Sequence, residues 1–250
     1  MSGHSKWSTI KHKKGAADAK RGKLFTKLIK EITVAARMGG GDIDSNPRLR
    51  SAVTAGRNAN MPNENITRAI KKGTGELEGT QYEEITYEGY GLGGAAVFVE
   101  TMTDNKNRTV GEIRSIFSKN GGNLGANGCV GWIFVQKGLI IVPVEGNDEE
   151  SLLELIMEAG GDDLKQEGDL FEILTSAENF EFTRKILEDK GVKMEAAELT
   201  RIPQNTVTVT EEKDGKALLR MMGSLEDHDD VQKAFSNFDI AEDILASLGV

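Results

Sequence analysis

The chain has 250 residues, 31 of them Lys or Arg and 40 Asp or Glu, for a formal net charge of −9. A hydrophobic fraction of 38% and a mean hydropathy of −0.38 describe a globular protein able to bury more than one core, and no run reaches the roughly 18 apolar residues of a membrane helix. One cysteine, Cys129, excludes an internal disulfide and suits a reducing compartment such as the cytoplasm.

The charge is unevenly spread. Residues 1–72 hold 16 basic and 5 acidic residues, a net +11, which leaves −20 for the remainder. A split of this size predicts one surface that attracts polyanions and others that repel them. The start has no apolar segment of a secretory signal. A mitochondrial transit peptide is also basic and acid-poor, but it favours Arg and is amphipathic from its beginning.

In chain order, residues 3–27 carry Lys6, Lys11, Lys13, Lys14, Lys20, Arg21, Lys23 and Lys27 against the one acid Asp18. The spacers before the first helix are small or polar (Ser5, Ser8, Thr9, Gly15, Ala16, Ala17) and no apolar period organises them. A basic arm of this kind suits nucleic acid, with Lys meeting phosphate by charge. His12 lies within the cluster, and Trp7 either stacks on a base or anchors the arm to the protein. Residues 20–38 read as an amphipathic helix. Leu24, Phe25, Leu28, Ile29, Ile32, Ala35 and Ala36 fall on one arc, and Lys20, Lys23, Lys27, Lys30 and Arg37 on the other, where Lys20, Lys23, Lys27 and Lys30 are expected to continue the arm's contacts with nucleic acid as an open stripe. "GGGD" ends it. Pro47 opens a second helix behind Ser45 or Asn46; Pro62 opens a third, which Gly73 closes. Asn63, Asn65, Arg68, Lys71 and Lys72 on that third helix are secondary candidates for nucleic-acid contact. "KKGTGELEGTQ" reads as a linker.

From Tyr82 the pattern changes. "YEEITYEGYG" and "AAVFVETMT" read as strands joined at a glycine cluster. Gly89, Gly91 and Gly94 fit G-x-G-x-x-G, but the strand-forming "AVFVE" follows where a helix would be needed, so the glycines imply a tight hairpin and not a nucleotide site. "TDNKNRT" (residues 103–109) stands at a strand-to-helix junction. Its Asp and Asn residues can cap backbone amides, while Lys106 and Arg108 are further candidates for contact with phosphate. A helix with Val110, Ile113, Ile116 and Phe117 on its apolar face follows, then "GCVGWIFVQ" as a buried strand in which Cys129 is a small core residue. "LIIVPV", "DEESLLELIMEAG", "DDLKQEG", "LFEILTS", "NFEFTRKILEDKG" and "VKMEAAELTRI" form a β-α-β-β-α-β series, the order of a ferredoxin-like domain. "NTVTVT", "GKALLRMMGSLED" and "DVQKAFSNF" then return to the preceding domain. "EDHDD" (residues 226–230) reads as a solvated turn, with loose cation binding as the alternative. His4, His12 and His228 have no metal-ligand spacing, and neither a nucleophile elbow nor a phosphate loop is present.

The opening "MSGHSKWSTIKHKKGAADAKRGKLFTKLIKEI", with "MPNENITRAIKKGTG", "YEGYGLGGAAVFVETMTDNKNRT" and "GGNLGANGCVGWIF", closely resembles the YebC family, which includes the PmpR regulators. The resemblance covers nearly the whole chain. It implies a multi-domain protein of α and α+β parts: an N-terminal three-helix bundle, then an α+β domain with a ferredoxin-like α+β domain inserted in it. The boundaries expected are 1–76, 77–136 with 204–250, and 137–203. Members are described as cytoplasmic DNA-binding transcriptional regulators. Others act in translation, including a mitochondrial activator of cytochrome oxidase synthesis and factors that help ribosomes through proline-rich stretches. The resemblance therefore implies binding to promoter DNA or to ribosomal RNA, with no cofactor, metal, membrane or enzymatic chemistry, and oligomerisation is not required.

Overall fold

The computed structural model describes residues 18–241 and residue 244, with side chains from Arg21 onward. Three helices come first: α1 (Asp18–Gly39), α2 (Pro47–Asn58) and α3 (Asn63–Thr74). Asn46 caps α2, its side-chain oxygen accepting from the Leu49 amide, and Pro47 stands in the first turn. Both choices match the orphan amides of a helix start. Ile32, Ala35 and Ala36 of α1 pack against Leu49, Ala52 and Val53 of α2 and Ile66 and Ala69 of α3. The third helix does not end at Gly73. It runs to Thr74, and Gly75 (φ +83°) supplies the left-handed cap. A Cβ at Gly73 would overlap the Thr33 carbonyl oxygen and the Ala36 Cβ of α1, so this glycine lets two helix backbones approach closely.

The chain then enters β1 (Glu83–Tyr90) and β2 (Ala96–Thr103), followed by α4 (Lys106–Lys119) and the short β3 (Asn123–Leu124). A 3-10 turn at Leu92–Gly94 joins β1 to β2, with Gly93 and Gly94 at positive φ. The glycine motif is therefore a hairpin. Beyond residue 204 come β8 (Val207–Val209), α7 (Glu212–Glu226), β9 (Val231–Ser236) and β10 (Phe238–Ile240). The antiparallel sheet β3-β1-β2-β9 carries α4 and α7 on one face, while β8 pairs with β10 in parallel. Phe117, Leu218, Met221 and Met222 fill the layer between helices and sheet.

Residues between these segments form β4 (Phe134–Pro143), α5 (Glu149–Glu158), β5 (Gly161–Glu167), β6 (Leu170–Ser176), α6 (Phe180–Asp189) and β7 (Ala196–Pro203). The strand order β5-β6-β4-β7, all neighbours antiparallel, is the split β-α-β arrangement. Ile140, Val142, Phe171 and Ile173 meet Leu152, Ile156, Phe180 and Leu187 of the helices. Two compact units result: Ile133–Gln204, from one stretch of chain, and Met1–Trp132 with Asn205–Val250. "GCVGWIFVQ" is not one strand. Gly131–Ile133 is a 3-10 turn, and β4 runs unbroken through Gln136, Lys137 and Gly138 into "LIIVP". The three polar or small residues do not interrupt it because β4 pairs on both edges.

Candidate nucleic-acid interface

α1 presents two faces, as its spacing requires. Phe25, Leu28, Ile29 and Ile32 turn into the bundle. The cationic arc was expected to be an open stripe. Instead Lys23, Lys27 and Lys30 dock against the C-terminal end of α7 and the turn after it. The Lys23 ammonium donates to the Asp227 carbonyl at 3.0 Å and lies 3.4 Å from its carboxylate. Lys27 donates to the Glu226 carbonyl at 2.6 Å, and Lys30 to the Asp229 carbonyl at 2.9 Å and the Met102 carbonyl at 3.3 Å. Spacings of four and three residues put the three ammonium groups in one row. The last turn of a helix, with its unpaired carbonyls and negative dipole end, is a natural receiver for such a row. Further along, the Arg37 guanidinium donates to the Tyr82 carbonyl.

At the end of this row stands Asp230, only 3% exposed. One of its oxygens accepts from Lys30 at 2.7 Å. The other accepts from the Arg108 guanidinium at 2.7 Å, the Thr109 hydroxyl at 2.8 Å and the Thr103 hydroxyl at 3.1 Å. Burial opposes ionisation of this carboxyl, but the bonds from Lys30, Arg108 and Thr109 outweigh it and hold the group well below the usual carboxylate range. Hydrogen bonds to Asp230 first and to Asp104 second, the latter at 2.9 Å, hold the Arg108 guanidinium above its ordinary value. "EDHDD" is the turn between α7 and β9, with Asp227 and Asp229 exposed, but its last residue, Asp230, is a buried junction. Glu112, His228 and Asp230 offer ligand atoms within 4.8 Å of one another. Two side-chain cations already neutralise Asp230, so the group is an ion-pair network and not an open cation site.

Lys30 is buried in this network and cannot meet an external polyanion; its assignment as a contact residue is corrected. Arg108 is spoken for by Asp104 and Asp230, although its side chain is 44% exposed. Asn105 caps α4, accepting from the Arg108 amide, which answers the capping question posed by "TDNKNRT". Lys106 is exposed in the first turn of α4. Arg21 is exposed, and so are Lys71 and Lys72 in the last turn of α3. Arg68 is exposed and paired with Glu64. Lys6, Trp7, Lys11, His12, Lys13 and Lys14 lie outside the described residues, as does the side chain of Lys20.

Two residues escaped the sequence reading. Arg57, exposed in the last turn of α2, entered only the charge total. Glu88, 5% exposed, accepts the backbone amides of Gly128 (2.7 Å), Val130 (2.8 Å) and Gly131 (2.6 Å). It shapes the turn that holds Cys129, whose thiol is pushed up by burial and by the Glu88 charge. Alternation in β1 could not have flagged Glu88, since it puts Glu88 on the face opposite Tyr87 and Gly89, which are also buried. Among the described residues no helix is long and apolar enough to cross a membrane.

Residues 5–76 match the TACO1/YebC protein N-terminal domain, and residues 82–238 match the TACO1/YebC second and third domain. A "probable transcriptional regulatory protein" of Desulforapulum autotrophicum is 61% identical over 244 residues, 98% of each chain. One of the same description from Syntrophobacter fumaroxidans is 61% identical over 245 residues, again 98% of each. The crystal structure of a conserved hypothetical protein from Aquifex aeolicus superposes with a TM-score of 0.84 at 49% identity, covering 91% of this chain and 94% of that one. With both family domains matched along almost its whole length, the chain belongs to the TACO1/YebC family.

Proposed function

We propose that this protein is a cytoplasmic, non-enzymatic regulator of gene expression that binds nucleic acid through its basic N-terminal arm, acting as a DNA-binding transcriptional regulator. The observation that carries the reading is the segregation of charge, +11 in residues 1–72 against −20 in the rest. The arm residues Lys6, Lys11, Lys13 and Lys14 supply phosphate contacts, with Arg21, Lys71, Lys72 and Arg57 as exposed cations of the bundle. The relatives described as probable transcriptional regulatory proteins support the same role.

A second reading, an RNA-bound translation factor, is favoured by one observation. Duplex DNA calls for a cationic patch on the bundle, and the row Lys23, Lys27 and Lys30 is already bonded to the end of α7. A basic arm entering irregular RNA needs no such patch. Ultraviolet crosslinking in growing cells, then sequencing of the attached nucleic acid, separates the two. Promoter DNA with ribosomal RNA at background supports the regulator. Crosslinks confined to a few ribosomal RNA positions replace it with the translation factor. Reversing Lys6, Lys11, Lys13 and Lys14 to Glu should abolish the crosslinks in either case, and persistence would refute binding through the arm.

A further inference from the structure

We propose that an exposed apolar patch on α5 and α6 is a docking surface for a cationic amphipathic helix of a protein partner. α5 buries Leu152 and Ile156 against its sheet yet leaves Leu153 43% and Met157 71% exposed. Four residues apart, these two share the outer face of the helix. α6 buries Phe180, Thr183 and Leu187 and leaves Phe182 58% exposed. The helices are tied where the patch forms. The Thr183 hydroxyl donates to the Ala159 carbonyl at 2.8 Å, and the Asn179 amide to the Gly160 carbonyl at 3.1 Å. The last turn of α5, with Met157, is thereby held beside the first turn of α6, with Phe182. Large apolar side chains gathered on a water-facing surface mark an interaction site more often than isolated ones do.

Charge selects the occupant. Glu150, Glu154 and Glu158 stand exposed along α5, with the exposed Glu178 just before α6 and the half-buried Glu181 in its first turn. Lys185, one turn beyond Phe182, is the exposed cation of that stretch, while Arg184 is bonded to Glu181 and Glu188. The whole unit Ile133–Gln204 holds 17 Asp and Glu against 7 Lys and Arg. A nucleic acid or an anionic membrane is repelled by such a surface, and a second copy would bring the same acidic rim to meet its own. A helix with apolar anchors along one stripe and Lys or Arg beside them meets both features at once: anchors against Leu153, Met157 and Phe182, cations against the glutamates.

The test uses the full chain and an 18-residue peptide of Leu and Lys arranged as an amphipathic helix, beside a peptide of the same composition with the stripe scrambled. Fluorescence anisotropy should show the amphipathic peptide binding at least about tenfold more tightly, a difference worth ~1.4 kcal/mol. The variant Leu153→Ser/Met157→Ser/Phe182→Ser, its fold checked by circular dichroism and melting temperature, should lose that preference. Glu154→Gln/Glu158→Gln should weaken both peptides alike and flatten their salt dependence. Equal affinity for the two peptides, or a preference that survives the triple variant, would overturn the proposal. So would a concentration-dependent dimer in sedimentation velocity that the triple variant abolishes, because the occupant would then be a second copy. Nucleic-acid binding by the arm should be unchanged in every variant.

Discussion

Lys30 and Asp230 are each complete only with the other. Lys30 has three oxygen acceptors and lies 5.4 Å from the centre of the Tyr82 ring; Asp230 has four donors on two oxygens. Removing the negative charge from such a pair leaves a desolvated cation without compensation. Asp230→Asn should therefore cost about 3 kcal/mol, the low end for a broken buried pair because Arg108 is partly exposed and water can reach it. Urea denaturation at neutral pH measures this. The pH dependence has a definite sign. Asp230 has a depressed folded-state value, so its stabilisation is present above the unfolded carboxyl pKa of about 3.9 and is lost as pH falls from there through the folded value. The wild type should lose stability more steeply below pH ~4 than Asp230→Asn does, and parallel acid slopes would show that this carboxylate is not the linked group. Glu88 acts by another route, as an anchor for backbone. Glu88→Gln keeps the shape but replaces one acceptor oxygen by a donor, so at least one of three amides is left without its acceptor. Hydrogen exchange at Gly128, Val130 and Gly131 should accelerate by on the order of tenfold, with protection elsewhere in β1 retained.

Among elements, the α1–α3 contact is sensitive to a single methyl group. A side chain at Gly73 would collide with backbone of α1, which has no rotamer to escape into. Gly73→Ala raises intrinsic helix propensity by about 1 kcal/mol, yet overpacking of this kind costs about 1–3 kcal/mol. The net expectation is a lower melting temperature for a mutation that isolated-helix rules call stabilising; a rise would mean that the two helices slide apart freely. Gly73 also marks where sequence reading reaches its limit. A glycine near the end of an amphipathic pattern resembles a stop signal, and only the neighbouring helix reveals that it serves packing. The helices and most strands were legible because their apolar periods are local, and the β-α-β-β-α-β order because it is a succession of periods. The fate of the lysine row was not. Lys20, Lys23, Lys27, Lys30 and Arg37 all look alike on a helical wheel, and what separates them is α7, nearly 200 residues away in the chain. The junction at Asp230 was hidden for the same reason: a run of Glu, Asp, His, Asp and Asp has the composition of a solvated turn, and its burial comes from three elements converging on it.

Over the whole molecule, the charge pattern makes a prediction about selectivity. A basic arm alone would hold any polyanion, since phosphate contacts carry no sequence information. An acidic remainder adds a repulsive field that a nonspecific duplex meets on approaching it. That field acts through solvent, so it extends over a Debye length of about 10 Å at 0.1 M salt and about 30 Å at 0.01 M. Neutralising three exposed acids away from the α5–α6 patch, Glu145→Gln, Asp169→Asn and Glu195→Gln, removes three negative charges without adding a phosphate-binding group. Affinity for a random-sequence duplex should then tighten severalfold at about 0.01 M salt and converge on the wild type above about 0.1 M. Fluorescence anisotropy across a salt series measures both limits. The slope of log affinity against log salt should stay the same near and above 0.1 M, because these substitutions leave the arm proposed to neutralise phosphates untouched. Identical affinities at low salt would mean that the acidic residues are placed for their own partner alone and take no part in rejecting the wrong polyanion.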